Sequence, residues 1–265
     1  MKRFSIPVAM LAMLWLASLP VAEQAQASEW NWSITPYLWG SGVSLSAKVN
    51  DREPGIGQDI DFSDLMDSLK LALAGRFEGQ RGKFGFFADV FFVDFGDDNK
   101  IFDLGGSLPG QVVAETNLAF TIFEVGGIYN PKGNGKGVAL LYGARMLDLD
   151  LKLDAQYNFD GGSTEGRDYG LNKALWDALI GVRYLGDLGD RWRYNLEADV
   201  STGGTDLTWN AQAGVGYAYG KHRQHAVMAG YRYTDIDLSD QPGERVDIDI
   251  EAQLAGPYVA LKFGF

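Results

Sequence analysis

The sequence contains no cysteine, only 2 histidines and only 8 prolines among its 265 residues. The absence of thiols excludes disulfide cross-links, thiol nucleophiles and metal sites with cysteine ligands. The formal net charge of −12 argues against a nucleic acid as partner, because binding to phosphates needs a basic surface. Beyond the N-terminal segment there is no run of about 18 apolar residues, which excludes a transmembrane helix. Any crossing of a membrane would therefore use strands.

The N-terminus has the order of a bacterial export signal. Two basic residues precede an apolar run, and Ala25-Gln26-Ala27 provides the small residues that a signal peptidase requires. We therefore predict a removed signal peptide over residues 1–27 and a mature domain over residues 28–265. Without the signal peptide the chain keeps 21 basic and 34 acidic residues, a net charge of −13.

The C-terminus ends in an alternation that is typical of a barrel wall. Val259, Leu261, Phe263 and the terminal Phe265 share one side of a predicted strand, and Lys262 lies on the other side. In a membrane β-barrel, lipid-facing positions alternate with lumen-facing positions, and aromatic residues gather at the membrane rims. The 34 glycines, 7 tryptophans, 12 tyrosines and 15 phenylalanines suit such a wall with tight turns. A C-terminal strand of a soluble sandwich is the alternative.

Ten segments carry strand signals, and the connections between them alternate in length. Short periplasmic turns and longer outer loops are the asymmetry of outer-membrane barrels, and an even number of strands returns both termini to the periplasm. We therefore predict an all-β fold, an antiparallel up-and-down transmembrane β-barrel of 10 strands. The predicted strands cover 31–48, 68–80, 84–96, 112–130, 137–155, 173–187, 191–203, 207–220, 224–238 and 247–265, with long loops at 49–67, 97–111, 156–172 and 239–246.

The apolar residues change from one parity to the other at three places: Gly40-Ser41-Gly42, Arg145-Met146 and Gly256-Pro257. We predict β-bulges there, because Gly and Pro tolerate the unpaired position of a bulge. An error in the assumed register is the alternative. The register is least defined in segment 112–130, where apolar residues share the parity of Glu124.

Several segments together resemble a widespread Gram-negative family of predicted outer-membrane β-barrel proteins. They include WSITPYLWG at 32–40, GARMLDLD at 143–150, GVRY at 181–184, GYRYTD at 230–235 and the last ten residues. The resemblance covers nearly all of the predicted mature chain. It implies a barrel in the outer membrane of a Gram-negative bacterium, and the family has no established activity that could be carried over.

Charged residues of both signs are predicted at a similar depth in the lumen. A lumen of ten strands is narrow compared with porins of 16–18 strands, so these charges should pair. Either they form a salt-bridged plug, or they line a gated, porin-like conduit that selects small solutes or ions. The predicted lumen charges are Arg76, Asp89, Glu124, Arg145, Arg183, Glu197, Asp199, Arg232 and Lys262.

The predicted outer loops are acidic, and the predicted periplasmic turns are basic. Clustered carboxylates attract cations, so the loops, including 49–67, could bind a cationic partner at the surface. The sequence lacks the spacing of a calcium-binding loop. The expected partners are outer-membrane lipid, lipopolysaccharide and, through the strand ending in Phe265, the barrel-assembly machinery, with no nucleic acid and with small solutes or cations as candidates.

The sequence contains few of the residues and motifs that hydrolytic enzymes require. Its histidines, His222 and His225, fall in a predicted periplasmic turn without an acidic neighbour, and no Gly-x-Ser-x-Gly motif is present. We expect no catalytic residues, no cofactor and no metal, and hence a non-enzymatic structural protein or minor channel. An omptin-like hydrolase is the least favoured alternative, because Asp97 or Asp235 would have to act without a histidine at the rim.

Overall fold

The computed structural model describes residues 29–49, 52–60, 69–102, 110–159, 164–239 and 248–265. The predicted signal peptide lies outside these residues. No helix in these ranges is long and apolar enough to cross a membrane. The strands are β1 (Asn31–Trp39), β2 (Gly42–Val49), β3 (Arg52–Ile60), β4 (Leu69–Arg81), β5 (Phe84–Phe102), β6 (Gly110–Tyr129), β7 (Gly137–Phe159), β8 (Thr164–Asp187), β9 (Trp192–Gly203), β10 (Leu207–Tyr219), β11 (His225–Ser239) and β12 (Ile248–Gly264).

The wall is a closed antiparallel barrel of 10 strands, which confirms the predicted fold. Its ring runs from β1 to β4 and onward in sequence order to β12, which pairs with β1. Trp32 N donates to Phe265 O at 3.1 Å, and Phe265 N donates to Trp32 O at 3.0 Å, so the terminal residue closes the ring. β2 continues along β12 beyond β1 and pairs with β3 on its other side.

The two ends of the barrel differ in their connections. We call the end that contains residues 29 and 265 and four short turns the lower end, and the end that contains the β7–β8 hairpin the upper end.

The turn between β6 and β7 shows how the sequence determines the structure of the lower end. Asn130 Oδ1 accepts from Gly133 N at 2.8 Å, and Asn130 Nδ2 donates to Lys136 O at 2.9 Å, so one buried amide satisfies the turn backbone.

Several strands extend further upward than predicted. β7 and β8 contain 23 and 24 residues, and their pairing continues to Asn158 and Thr164. Within the described part of the predicted long loops, residues 97–102, 110–111, 156–159 and 164–172 are therefore strand, and residues 52–60 of the predicted loop 49–67 form β3. The loop predictions were wrong at these residues because polar side chains do not by themselves mark a loop: a ladder satisfies the backbone whatever its side chains.

The predicted bulges are absent from the described strands. Arg145 pairs with Asp177 and Met146 with Trp176 in an unbroken register, and the β11–β12 ladder likewise passes through Gly256 without a shift. Residues 40–41 separate β1 from β2, yet Trp39 pairs with Tyr258 and Gly42 with Ala255, so both strands pair with β12 in the same register. No extra residue is inserted at any of the three places.

Instead of a bulge, the apolar side of the wall reverses. On the lower part of β12, Val259 and Leu261 are exposed on the outer face. On the upper part, Leu254 is buried inside, and Gln253 is exposed outside. The same reversal places Ile122 inside β6 on the face that also carries Glu124. The outer face of the lower barrel is thus apolar, whereas the apolar residues on this part of the upper barrel lie on the inner face.

Two clusters of buried apolar side chains lie in the interior. The upper cluster lies mostly in the upper barrel, and the lower cluster lines the inner faces of β5 to β8 near their lower ends. Charged side chains occupy the level between them. The upper cluster contains Trp39, Phe91, Val93, Ile122, Leu147, Ile236, Leu254, Tyr258 and Ala260, and the lower cluster contains Phe87, Ile128, Ala139, Leu141 and Leu179.

Candidate functional site

The predicted lumen charges lie on the inner face of the wall, distributed over β4 to β9, β11 and β12. Eight of them form two ion-paired groups, which Tyr37 connects through hydrogen bonds to Asp89 and Arg232. Lys262 joins none of these pairs among the described residues. We call the connected side chains the charge layer. It comprises Arg76, Asp89, Glu124, Arg145, Arg183, Glu197, Asp199 and Arg232, together with Glu78, which contacts Arg76 and Arg183.

Arg145 is the most deeply buried member, with 1% of its surface exposed. Its Nε and Nη2 donate to Glu124 Oε1 at 2.9 and 2.7 Å. Its Nη2 also donates to Asp199 Oδ1 at 2.5 Å, and its Nη1 donates to Ser201 Oγ at 3.0 Å. One guanidinium therefore holds two carboxylates that lie on strands to either side of it.

Other contacts cross the lumen. Arg76 Nη1 on β4 lies 3.1 Å from Glu197 Oε1 on β9, five strands away around the ring of ten. Arg183 Nη1 on β8 reaches Glu78 Oε1 on β4 at 2.5 Å. These side chains cross the lumen from wall to wall.

One member of the layer, Glu78, and two neutral residues that contact the layer, Tyr37 and Asn210, are absent from the predicted lumen set. Glu78 shares the face of Arg76 two residues away, which is a signal that could have identified it. Tyr37 and Asn210 carry no charge and so could not be found by a search for charges. Tyr37 OH donates to Asp89 Oδ1 at 2.8 Å, and Asn210 accepts from Arg232 Nε at 2.8 Å.

Asp177 fixes the turn between β9 and β10 from inside the barrel. Its Oδ1 accepts from the backbone N of Gly204 and of Thr205, both at 2.9 Å. Its Oδ2 accepts from Thr205 Oγ1 at 2.6 Å and from Ser201 Oγ at 3.0 Å. Because Ser201 also accepts from Arg145, the turn is connected to the charge layer.

Aromatic rings join the layer to the apolar clusters on both sides. The Arg76 guanidinium lies 4.5 Å from the ring centre of Phe87 in the lower cluster. The Arg232 guanidinium lies 4.8 Å from the ring centre of Trp39 in the upper cluster. Such contacts favour a partly desolvated cation.

Two adjoining cavities remain on the lower side of the layer. The inner cavity has a volume of about 120 Å³, and the outer one, at the lower mouth, about 280 Å³. Both are lined by Leu185, Asn195, Met228 and Lys262. At the mouth, Lys136 Nζ lies 2.5 Å from Asp187 Oδ2, in a pair that is exposed.

The histidines and rim carboxylates do not converge. His222 lies in the turn before β11, and His225 is the first residue of β11, with its ring 5.4 Å from that of Tyr219. Asp235 accepts from Tyr233 OH at 2.9 Å, and the side chain of Asp97 lies outside what the structure describes. Within the described ranges, no three His, Asp or Glu residues are grouped so that they could hold a metal ion.

The outer surface of the lower barrel is a continuous apolar band. Its exposed residues are bordered by aromatic pairs near both ends, Trp192 with Tyr217 below and Trp209 with Tyr233 above. Water would not favour such a surface, whereas hydrocarbon would. The band includes Ile34, Leu38, Val125, Leu140, Ile180, Val182, Leu196, Val200, Val215, Val227, Val259 and Leu261.

No family model and no curated protein matches the chain. Among solved structures, the outer membrane protease OmpT from Escherichia coli matches with a TM-score of 0.53 at 8% identity, covering 92% of this chain and 99% of that one. The translocator domain of autotransporter NalP from Neisseria meningitidis has a TM-score of 0.49 at 12% identity, covering 97% of this chain and 96% of that one. The likeness to OmpT shows the barrel fold alone. The family suggested by the sequence motifs stays a prediction.

Proposed function

We propose that this protein is a non-enzymatic structural barrel of the Gram-negative outer membrane, with a lumen that does not conduct. The apolar band supports insertion into lipid, because exposed apolar residues of a barrel wall match hydrocarbon. A strand that crosses a bilayer needs about 9–11 residues. β7 and β8, with 23 and 24 residues, therefore extend well beyond the membrane.

The observation that carries the proposal is the contact of 3.1 Å between Arg76 and Glu197 on opposite strands. A conduit would have to pass between these side chains, and separating them would leave buried charges unpaired. The upper cluster closes the next level, where Trp39, Phe91 and Ile122 are buried. A solute would thus have to cross a charged level and then an apolar one.

The direct test is conductance of the purified, folded protein in a planar bilayer. We expect the wild type to be silent. Replacing Arg76, Glu78, Arg183 and Glu197 together by alanine removes the side chains that cross the lumen without leaving a charge of that group unpaired, and should produce measurable conductance. The double variant Lys136→Ala with Asp187→Ala is the matched control, because this exposed pair lies at the mouth, and it should stay silent.

Steady conductance of the folded wild type would overturn the closed lumen and favour the channel predicted as the alternative. Location has its own test, since antibody detection after membrane fractionation should find the protein with the outer membrane. Recovery in the soluble periplasmic fraction would contradict the assignment of the apolar band to lipid.

A further inference from the structure

The two lower cavities have more basic than acidic groups in their walls. Six cationic and four anionic side chains line them together. The excess lies on the lower side of the charge layer, where the larger cavity reaches the mouth of the barrel. The cationic residues are Arg76, Lys136, Arg183, Arg193, Arg232 and Lys262, and the anionic ones are Glu78, Asp89, Asp187 and Glu197.

Lys262 stands at the junction of the cavities without a partner of its own. Its ammonium group enters no hydrogen bond or ion pair among the described residues, although the side chain lines both cavities. The inner cavity that it lines also contains Arg76, Arg183 and Arg232 in its wall, and the outer cavity contains Lys136 and Arg193. A lysine so placed increases the repulsion between cations in a narrow lumen.

The carboxylates that line the inner cavity are already paired. Glu78 Oε1 accepts from Arg76 Nε at 2.6 Å and from Arg183 Nη1 at 2.5 Å, and Asp89 and Glu197 lie 3.6 and 3.1 Å from Arg76 Nη1. Two donor atoms of these arginines, Arg183 Nε and Arg76 Nη2, are buried without an acceptor among the described residues. Buried donors without acceptors are costly, so the lining has an unmet need for negative charge.

We propose that the inner cavity binds a small oxyanion of about the size of phosphate, which enters from the periplasmic mouth. Lys262 Nζ is the principal donor, and the guanidiniums of Arg76 and Arg183, which line the same cavity, supply further positive charge. A cavity of about 120 Å³ holds one such ion with some water. The charge layer blocks passage beyond the site, so the protein binds the ion without transporting it. This inference goes beyond the proposed structural role and rests on its closed lumen only for the direction of access.

Calorimetric titration of inorganic phosphate into the folded protein, in a neutral detergent and a chloride-free buffer, tests the site. We expect saturable binding to the wild type. Lys262→Met should weaken it by about tenfold or more, the loss that corresponds to one charge-assisted hydrogen bond. Lys262 makes no ion pair within the described chain, so this variant should fold, as heat-modifiable gel migration would verify.

Lys221→Met is the matched control, because it removes the same charge from an exposed turn at the same end of the barrel, and it should bind phosphate as the wild type does. Absence of saturable binding at millimolar phosphate, or equal binding by the Lys262→Met variant, would overturn the site. Bilayer recordings on the same preparation keep the two proposals separate. Conductance would contradict the closed lumen and leave the phosphate result standing.

Discussion

The Arg232 guanidinium lies 4.8 Å from the ring centre of Trp39, at the level where the lumen changes from charged to apolar. Arg232 also approaches Glu124 Oε1 to 3.8 Å across the ring, so one side chain touches both chemical environments. Along its axis the interior therefore contains an apolar cluster, then the charge layer, then a second apolar cluster.

Loss of Arg145 should destabilise the barrel strongly. Arg145→Met would leave Glu124 and Asp199 buried without their shared cation, and breaking a buried pair in this way costs about 3–5 kcal/mol. Urea unfolding in detergent, followed by tryptophan fluorescence, measures the change. Arg193→Met is the control. The exposed Arg193 guanidinium pairs with Asp187 at 3.8 Å and donates to Arg223 O at 3.1 Å, so its loss should cost less than about 1 kcal/mol. Equal losses would contradict the charge layer as described.

Asp177 should govern the turn between β9 and β10. Asp177→Ala removes the side-chain acceptor of the Thr205 amide, so we expect this amide to exchange with solvent faster. The Gly204 amide should change less, because it also donates to Trp176 O at 2.9 Å. The free energy of unfolding should fall by about 1.5–3 kcal/mol, the range for a hydrogen bond to a charged group. Thr202→Val is the matched control because it removes one exposed hydrogen bond from the same turn. Unchanged exchange at Thr205 would refute the assignment.

Gly256 should be indispensable where β12 meets residues 40–41. A Cβ at this position would overlap the carbonyl oxygen of Gly40, which is backbone and cannot move aside without separating the strands. Gly256→Ala should therefore lower folding yield in detergent and the temperature of the heat-modifiable transition. Gly75→Ala, also within a strand, has its nearest atoms at 3.8 Å and should behave as the wild type. Similar yields for the two variants would argue against the close approach.

The outer face of β12 should tolerate charge only in its upper part. Val259→Lys places an ammonium in the apolar band, at a cost of about 2–4 kcal/mol if this level is the bilayer midplane. Gln253→Lys, on the same face above the reversal, should cost less than about 1 kcal/mol. Urea titration of protein folded into phosphatidylcholine vesicles measures both. Equal costs would mean that the band does not face lipid.

Sequence patterns predicted the barrel and its closing pair of strands because period-two alternation and export signals are local properties. The pairing of Ser33 with Gly264 and of Leu38 with Val259 joins the first strand to the last, as a closed barrel requires. Strand ends were less predictable. The upper parts of β7 and β8 are polar enough to resemble loops, and only their mutual pairing makes them strands.

For the candidate site, too, some features were predictable from the sequence and others were not. Charge and parity were enough to place Arg145 and Glu124 on the inner face, whereas their partners depend on which strands face each other across the ring. The contact of Arg76 with Glu197 joins residues 121 positions apart, and no local pattern encodes it. The parity change at Arg145-Met146 was visible in the sequence, but its cause, a reversal of the apolar side, required the register.

In the membrane that we propose for this barrel, the reversal would also set the depth of immersion. Moving the barrel upward by a few ångströms would bring the carboxylates of the lower end into hydrocarbon, and moving it downward would submerge Asp235 and Glu251, which lie above the change. Both displacements would be penalised, so one depth would be preferred. The height to which β7 and β8 project above the lipid would then be set by the position of the apolar band on the wall.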